Sequence, residues 1–276
     1  MPEITAAAVK ALRERTGLPM MECKKALQET AGDTSAAVDW LRKQGIKTAE
    51  TRVGRETSAG RVAIHIDAGK GVAAMIELQC ESAPVAGSED FIALANDLAK
   101  QLATGPGAKT PDELLGQPSP SKPGQTLAQQ KDDLFNRMRE VMNLARVVRI
   151  DGPCAGYAHH TGGVGVLVEF TGGNPDLAKG VAMHIAASQP KVVSTADLDP
   201  KAVDKEREIL SAAARTEGKP DNIIAKMVEG RLKNFYAECV LLEQPYVKEP
   251  EKTVGKIAAE AGMKVKRFVH WALGKD

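Results

Sequence analysis

Apolar positions along the chain follow two different periods. Over residues 4–45 they recur every three or four places, the helical spacing. Ile4, Ala8 and Leu12, with Arg15 next in the series, mark a first helix that stops at Gly17. A second opens with Pro19, whose missing N–H suits a first helical position, and runs to Gly32. Asp33 caps a third, which carries Ala37, Trp40 and Leu41 and is closed by Gly45. The polar stretch "KTAETRVGRETSAG" after it reads as a linker. From Arg61 the period shortens to two. Val62, Ile64 and Ile66 alternate, then Val72, Ala74, Ile76 and Leu78, and "DAGKG" between them supplies the turn of a β-hairpin.

Beyond the hairpin, Ser88 caps a helix with Phe91, Leu94, Ala95, Leu98 and Leu102 on one face. Residues 104–125, rich in Gly and Pro, form a long connection to a helix over about 126–144 that carries Leu127, Leu134, Met138 and Val141. The pattern then recurs more loosely. Strands are predicted at 146–150, 154–159 and 164–170, a helix at about 175–188, and a last strand in "MKVKRFVHWAL". Between these lies a pair of helices, about 200–217 and 221–236, joined by "EGKP". Val203, Leu210 and Ala214 face Ile224, Val228 and Phe235 at coiled-coil-like spacing, which predicts an antiparallel helical hairpin. The fold class is therefore α+β. A three-helix module and linker start (1–53) precede a core of two small α+β subdomains with antiparallel sheets (54–145 and 146–276), and the hairpin is inserted at about 198–236.

Composition narrows the function more than the fold. The chain has 276 residues, 43% of them hydrophobic but only 4% aromatic, which favours helices with small-residue packing. Its 37 basic and 36 acidic side chains leave a net charge of +1, and no block of five like charges occurs. A nucleic-acid binder usually carries a basic surplus, so no direct nucleic-acid partner is expected. No apolar run approaches the ~20 residues of a membrane span, and the first residues lack the pattern of a signal peptide. Cys23, Cys80, Cys154 and Cys239 are widely separated, as expected of reduced thiols in a cytoplasm.

Candidate chemistry is sparse. "GKGVAA" at residues 69–74 fits a dinucleotide fingerprint on paper, but that motif must open a helix, and here a second strand follows. "GPGAKT" at 105–110 follows a helix where a phosphate loop follows a strand. His159 and His160 adjoin each other where a strand gives way to a turn, so their side chains are expected on opposite faces, a poor zinc pair. No catalytic, metal or cofactor residues are assigned. The chain reads as a binder, not an enzyme.

One segment is specific. "TGLPMMECKKAL" at residues 16–27 resembles the N-terminal signature of the elongation factor Ts family. "ITAAAVKALRERTG", "GDTSAAVDWLRKQG", "AMHIAAS", "GKPDNIIAKMVEGRLKNF" and "QPYVKEPEKTVG" resemble family segments in family order. The resemblance implies a guanine nucleotide exchange factor for elongation factor Tu, with a ubiquitin-associated-domain-like (UBA-like) N-terminal module and a projecting coiled-coil hairpin. The nucleotide then belongs to the partner and no cofactor to this chain. It implies further that Arg13, Met20 and Met21 contact the GTPase domain of Tu and that His159 contacts another of its domains. Ser82, Ala83, Pro84, Val85 and Met138 complete the implied partner-binding set. Of the consecutive Met20 and Met21, one is expected to be exposed, since both cannot face a three-helix core squarely. Whether the hairpin pairs two copies of the chain or touches Tu stays open.

At one loop the chain departs from the family. The family pattern Cys-Glu-Thr-Asp-Phe-Val-Ala carries an Asp and a wedging Phe. Here the stretch is Cys80-Glu81-Ser82-Ala83-Pro84-Val85-Ala86, followed by Gly87. Fully burying a Phe is worth roughly 1.5–3 kcal/mol, about tenfold to a hundredfold in an equilibrium, and Pro84 reaches less far. The leading expectation is an exchange factor with a weakened loop. The alternative is a non-exchanging paralogue that binds, stabilises or sequesters Tu, and a nucleotide-cofactor enzyme using "GKGVAA" ranks third.

Overall fold

A computed structural model describes residues 4–50, 54–216 and 221–275. The chain opens with three helices: α1 (Ala6–Thr16), α2 (Met20–Glu29) and α3 (Thr34–Glu50). The Thr5 hydroxyl accepts the Ala8 N–H at the start of α1, and Gly17, at φ 69°, ends the helix in the left-handed region. Pro19 stands just before α2 instead of inside it. Asp33 Oδ1 accepts the Ser35 and Ala36 amides at 2.8 and 2.9 Å and so caps α3. Val9, Leu12, Leu18, Cys23, Ala26, Leu27, Ala37 and Leu41 form the core of the three.

Gly45 does not close α3, which continues to Glu50 through the start of the expected linker. Its role is close approach, since a Cβ at this buried position would land on the side-chain amide of Asn136. The rest of that linker includes residues 51–53, which lie outside the described residues.

The predicted hairpin is β1 (Ala59–Asp67) and β2 (Val72–Cys80), paired antiparallel from Ala59↔Cys80 to Asp67↔Val72. Four helices follow before the next strand, the first three being a single turn α4 (Ala83–Ala86), then α5 (Glu89–Thr104) and α6 (Pro111–Leu115). Ser88 caps α5 as expected, whereas α6, begun by Thr110 and Pro111 inside the long connection, was not anticipated. Next comes α7 (Leu127–Met138), which ends at Arg139 in the left-handed region, well short of 144. β3 (Met142–Asp151) therefore begins four residues earlier than predicted. Pairing explains the shift: Met142 and Leu144 lie opposite Cys80 and Leu78 of β2 and are buried there. β3 also runs across the expected division at 145/146 and stays with the first sheet, whose order is β1-β2-β3.

The second sheet is built from β4 (Cys154–Ala158), β5 (Val164–Thr171) and, after a long excursion, β8 (Lys264–Ala272), in the order β4-β5-β8. The excursion contains α8 (Pro175–Ser188), α9 (Pro200–Thr216), α10 (Asp221–Cys239), the short pair β6 (Pro245–Tyr246) and β7 (Glu249–Thr253), and α11 (Val254–Glu260). Helices α9 and α10 meet through Leu210, Ala214, Ile224, Val228, Leu232, Phe235 and Tyr236. Val203, expected on that face, is absent from the cluster, and the joint 217–220 lies outside the described residues. The elements β6, β7 and α11 are not among the predicted ones.

The core is layered. Helix α5 lies on β1 and β2, and α8 lies on β4 and β5. The inner faces of the two sheets meet through Val62, Ala73, Met75, Ile150 and Leu167. A Cβ at Gly165 would fall on Val62, so the sheets approach closely there. Strand β2 is thus buried on both faces, with Ala74, Ile76 and Leu78 toward the helices and Ala73 and Met75 toward the other sheet. Glu77, 1% exposed, is the polar residue of this inner layer. It takes two hydrogen bonds from Arg146, at 2.6 and 2.9 Å, and one from the Gly274 amide at 3.1 Å. Arg146 also donates to the Ala272 carbonyl at 3.0 Å and lies 4.6 Å from the Trp271 ring centre.

Candidate partner-binding site

The loop after β2 has a rigid root. Strand β2 is pinned on both faces, and Cys80 at its end is fully buried. Burial pushes the Cys80 thiol up to about 11, so it stays a neutral packing group that donates to the Ser82 carbonyl at 3.3 Å. Ser82 precedes α4, where Pro84 fits because a first helical turn leaves N–H groups unpaired anyway. Ala83 and Pro84 are exposed, Val85 half-buried on the core, and Ala86 buried.

Hydrogen bonds tie the loop to the end of α7. The Ser82 amide donates to Glu140 Oε2 at 3.0 Å and its hydroxyl donates to Glu140 Oε1 at 2.5 Å. Glu81 accepts the Val141 amide at 2.8 Å and Arg55 at 3.0 Å. One residue before Glu140, the Arg139 guanidinium lies on the Glu22 carboxylate of α2. Glu22 follows Met20 and Met21, which are 48% and 72% exposed. Both methionines face outward, not one, because Cys23, Ala26 and Leu27 occupy the inward stripe of α2.

The contacts thus join Met20 and Met21, through Glu22, Arg139 and Glu140, to Ser82 and the exposed turn at Ala83 and Pro84. Met138, half-buried against the core of the first sheet, sits beside that path. Arg13 lies exposed on α1, outside the chain of contacts. His159 sits on the β4–β5 turn, which meets β1 where Gly162 accepts the Val62 amide at 2.7 Å and Arg61 donates to the His160 carbonyl at 3.3 Å. Those residues are two to three positions from the Ala59–Cys80 pair, roughly 7–10 Å along the strand. His159 and His160 do not diverge. The strand ends at Ala158, and the turn brings their ring centres to 4.2 Å, with His159 Nδ1 2.8 Å from Thr161 Oγ1.

Other features carry less. A cleft of about 470 Å³ runs between the helical module and α7, lined by Arg15, Arg42, Asp133, Asn136 and Arg137 among others. Its charges are partly matched, Arg137 with Asp90 at 2.7 Å and Arg42 with Asp133 at 3.8 Å. "GKGVAA" forms the hairpin turn and the first residues of β2, so no helix opens there to receive a pyrophosphate. Among the described residues no group of three or more His, Cys, Asp or Glu could hold a metal ion, and no helix is long and apolar enough to cross a membrane. Glu22, Arg139 and Glu140 were not foreseen as part of the site. The one cue was a pair of charged residues between apolar Met138 and Val141.

A family model described as Elongation factor TS matches residues 84–275. The Elongation factor Ts of Methylococcus capsulatus is 43% identical over 275 residues, covering 99% of this chain and 92% of the relative. That of Thioalkalivibrio sulfidiphilus is 41% identical over 275 residues with the same coverage. That of a Ruegeria species is 42% identical over 278 residues, 99% of this chain and 93% of the relative.

Proposed function

The chain belongs to the elongation factor Ts family, and from that premise we propose that it binds elongation factor Tu carrying GDP and promotes GDP release by stabilising the nucleotide-free state. The observation that carries the reading is a pair of exposed apolar patches, Met20 and Met21 on α2 and Ala83 and Pro84 in α4, linked through Glu22, Arg139, Glu140 and Ser82, in a chain similar to its relatives over almost its whole length. A factor of this kind needs no chemistry of its own. It accelerates release only if it holds the emptied partner more tightly than the loaded one. Reciprocity then requires factor and nucleotide to weaken each other by the same ratio.

In this reading Arg13, Met20 and Met21 of a UBA-like module meet the GTPase domain. Ser82 to Val85 and Met138 press near its nucleotide site, and His159 contacts a second domain. The module before about residue 54, the first sheet with its helices and the second sheet form separate units of the surface. Helices α9 and α10 project as a coiled-coil hairpin. Ile209 and Ile223, 53% and 43% exposed, make that hairpin a candidate for pairing two copies of the chain. The near-neutral charge supports a protein partner over nucleic acid, and the thiols fit a cytoplasmic setting. Phosphate and magnesium chemistry stays with the partner.

Release of fluorescent GDP from the cognate Tu, followed with and without the chain, tests the proposal. Acceleration that saturates with factor concentration is expected. Tight binding of Tu with no acceleration would instead select a holding or sequestering role, which the similarity to exchange-factor relatives does not favour.

A further inference from the structure

Two neighbouring residues at the end of α7 hold two different elements. Arg139 closes the helix at φ 61°, a left-handed backbone that a side chain disfavours and that glycine would adopt freely. Its guanidinium engages Glu22, next to the exposed Met21. Glu140 turns the other way and spends both carboxylate oxygens on Ser82, at 3.0 and 2.5 Å. The Ser82 hydroxyl makes no capping bond to α4, being committed to Glu140. One peptide unit therefore links α2 to the loop.

We propose that Arg139 and Glu140 are positioning residues, a clasp that fixes the spacing between the methionine face of α2 and the turn at Ala83 and Pro84, so that both meet the partner as one surface. The proposal rests on the exchange reading and deepens it. An unfavourable backbone persists where surrounding contacts over-determine it, and the Arg139–Glu22 ion pair is such a contact. Two contact sites at fixed spacing gain from each other, because the second binds within an already formed complex and less motion is lost on docking. A short loop end has most need of this help. Alanine and proline cannot anchor by themselves, so their placement depends on the contact made by α2.

The test uses the full chain and its partner loaded with fluorescent GDP, titrated so that half-saturating concentration and maximal release rate are read separately. Arg139→Gly relieves the backbone and removes the ion pair. Its melting temperature should hold or rise, while the half-saturating concentration increases about threefold to tenfold, the cost of ordering about one more side chain on docking. A purely structural residue would not move stability and exchange in opposite directions. Glu22→Arg and Arg139→Glu should each give a similar shift, and the reversed pair should recover to within about twofold. In the free protein, Glu140→Ala should speed hydrogen exchange at the Ser82 amide about tenfold or more. An unshifted half-saturating concentration in Arg139→Gly overturns the clasp, as does a reversed pair that fails to recover or an unchanged Ser82 amide. If the unaltered chain gives no acceleration at all, the exchange reading fails on its own, and the Ser82 amide still decides whether Glu140 holds the loop.

Discussion

Replacing Pro84 by phenylalanine asks whether the reach of the loop limits exchange. Pro84 is exposed in the first turn of α4, so a larger side chain projects outward without displacing the fold. Burying a whole Phe in the partner contributes roughly 1.5–3 kcal/mol. The proline ring already supplies part of that surface, leaving a gain of about 1–2 kcal/mol, or about fivefold to thirtyfold. Against this stands the loss of a stiff residue from the loop, about 0.4–1 kcal/mol of folding stability, which lowers the melting temperature by only a few degrees in a chain of this size. GDP release at subsaturating factor should therefore quicken several-fold, and affinity for nucleotide-free Tu should rise more than affinity for Tu·GDP. The comparison of the two affinities is the decisive measurement. A Phe that tightens both states equally binds without distorting, and the maximal release rate at saturating factor would not change. Release within twofold of the starting rate, in a variant that folds, would refute the wedge argument.

Other consequences concern the scaffold. Glu77→Ala leaves Arg146 without its buried partner between the sheets and should cost about 3 kcal/mol in urea unfolding; a loss below about 1 kcal/mol would show that the pair is replaceable by water. Gly45→Ala drives a methyl into the Asn136 amide and should cost about 1–3 kcal/mol, or undock α3 from α7; unchanged thermal and protease stability would contradict that close approach. His184 is fully buried, with Nδ1 accepting the Val247 amide at 3.3 Å and Nε2 facing Gln244 Oε1 at 2.9 Å. Burial holds its imidazole below the ordinary value of 6.5, and burial, then the Arg146 charge, does the same for His270. Below about pH 6.5 the unfolded chain binds protons that the folded chain refuses, so melting temperature should be level above pH 7 and fall as pH drops from 6.5 toward 5. A level profile through that window would exclude neutral buried histidines.

Local rules captured elements whose ends are punctuated in sequence. Asn174 and Pro175 announce α8, and its expected span of about 175–188 is the observed one. Where tertiary contacts decide, the rules misled. Gly45 looks like a stop signal, yet the helix runs through it because the glycine admits Asn136. Val141 and Met142 suit a helix face as well as a strand, and the free side of β2 settles the choice. Cys80 and Ser82 mark where the loop begins, but its importance came only from resemblance to a family. The contacts that organise it were illegible, since Glu22 and Arg139 stand 117 residues apart and Ser82 and Glu140 stand 58 apart.

A surface that empties another protein's nucleotide site must be stiffer than the site it deforms, or the strain of docking relaxes into the factor instead. In the proposed reading, the layered core supplies that stiffness directly behind the loop at Ala83 and Pro84. Strand β2 is buried on both faces up to Cys80, and within three residues the chain passes from a close-packed interior to an exposed turn at Ala83. A well-packed interior resists compression, so a push on Pro84 is carried into both sheets through the strand that bears it. The same reasoning explains how a loop without a large side chain can still serve. Differential affinity depends on where rigid atoms stand relative to the emptied site, and small side chains held firmly can contribute what a longer, looser one would lose to its own motion.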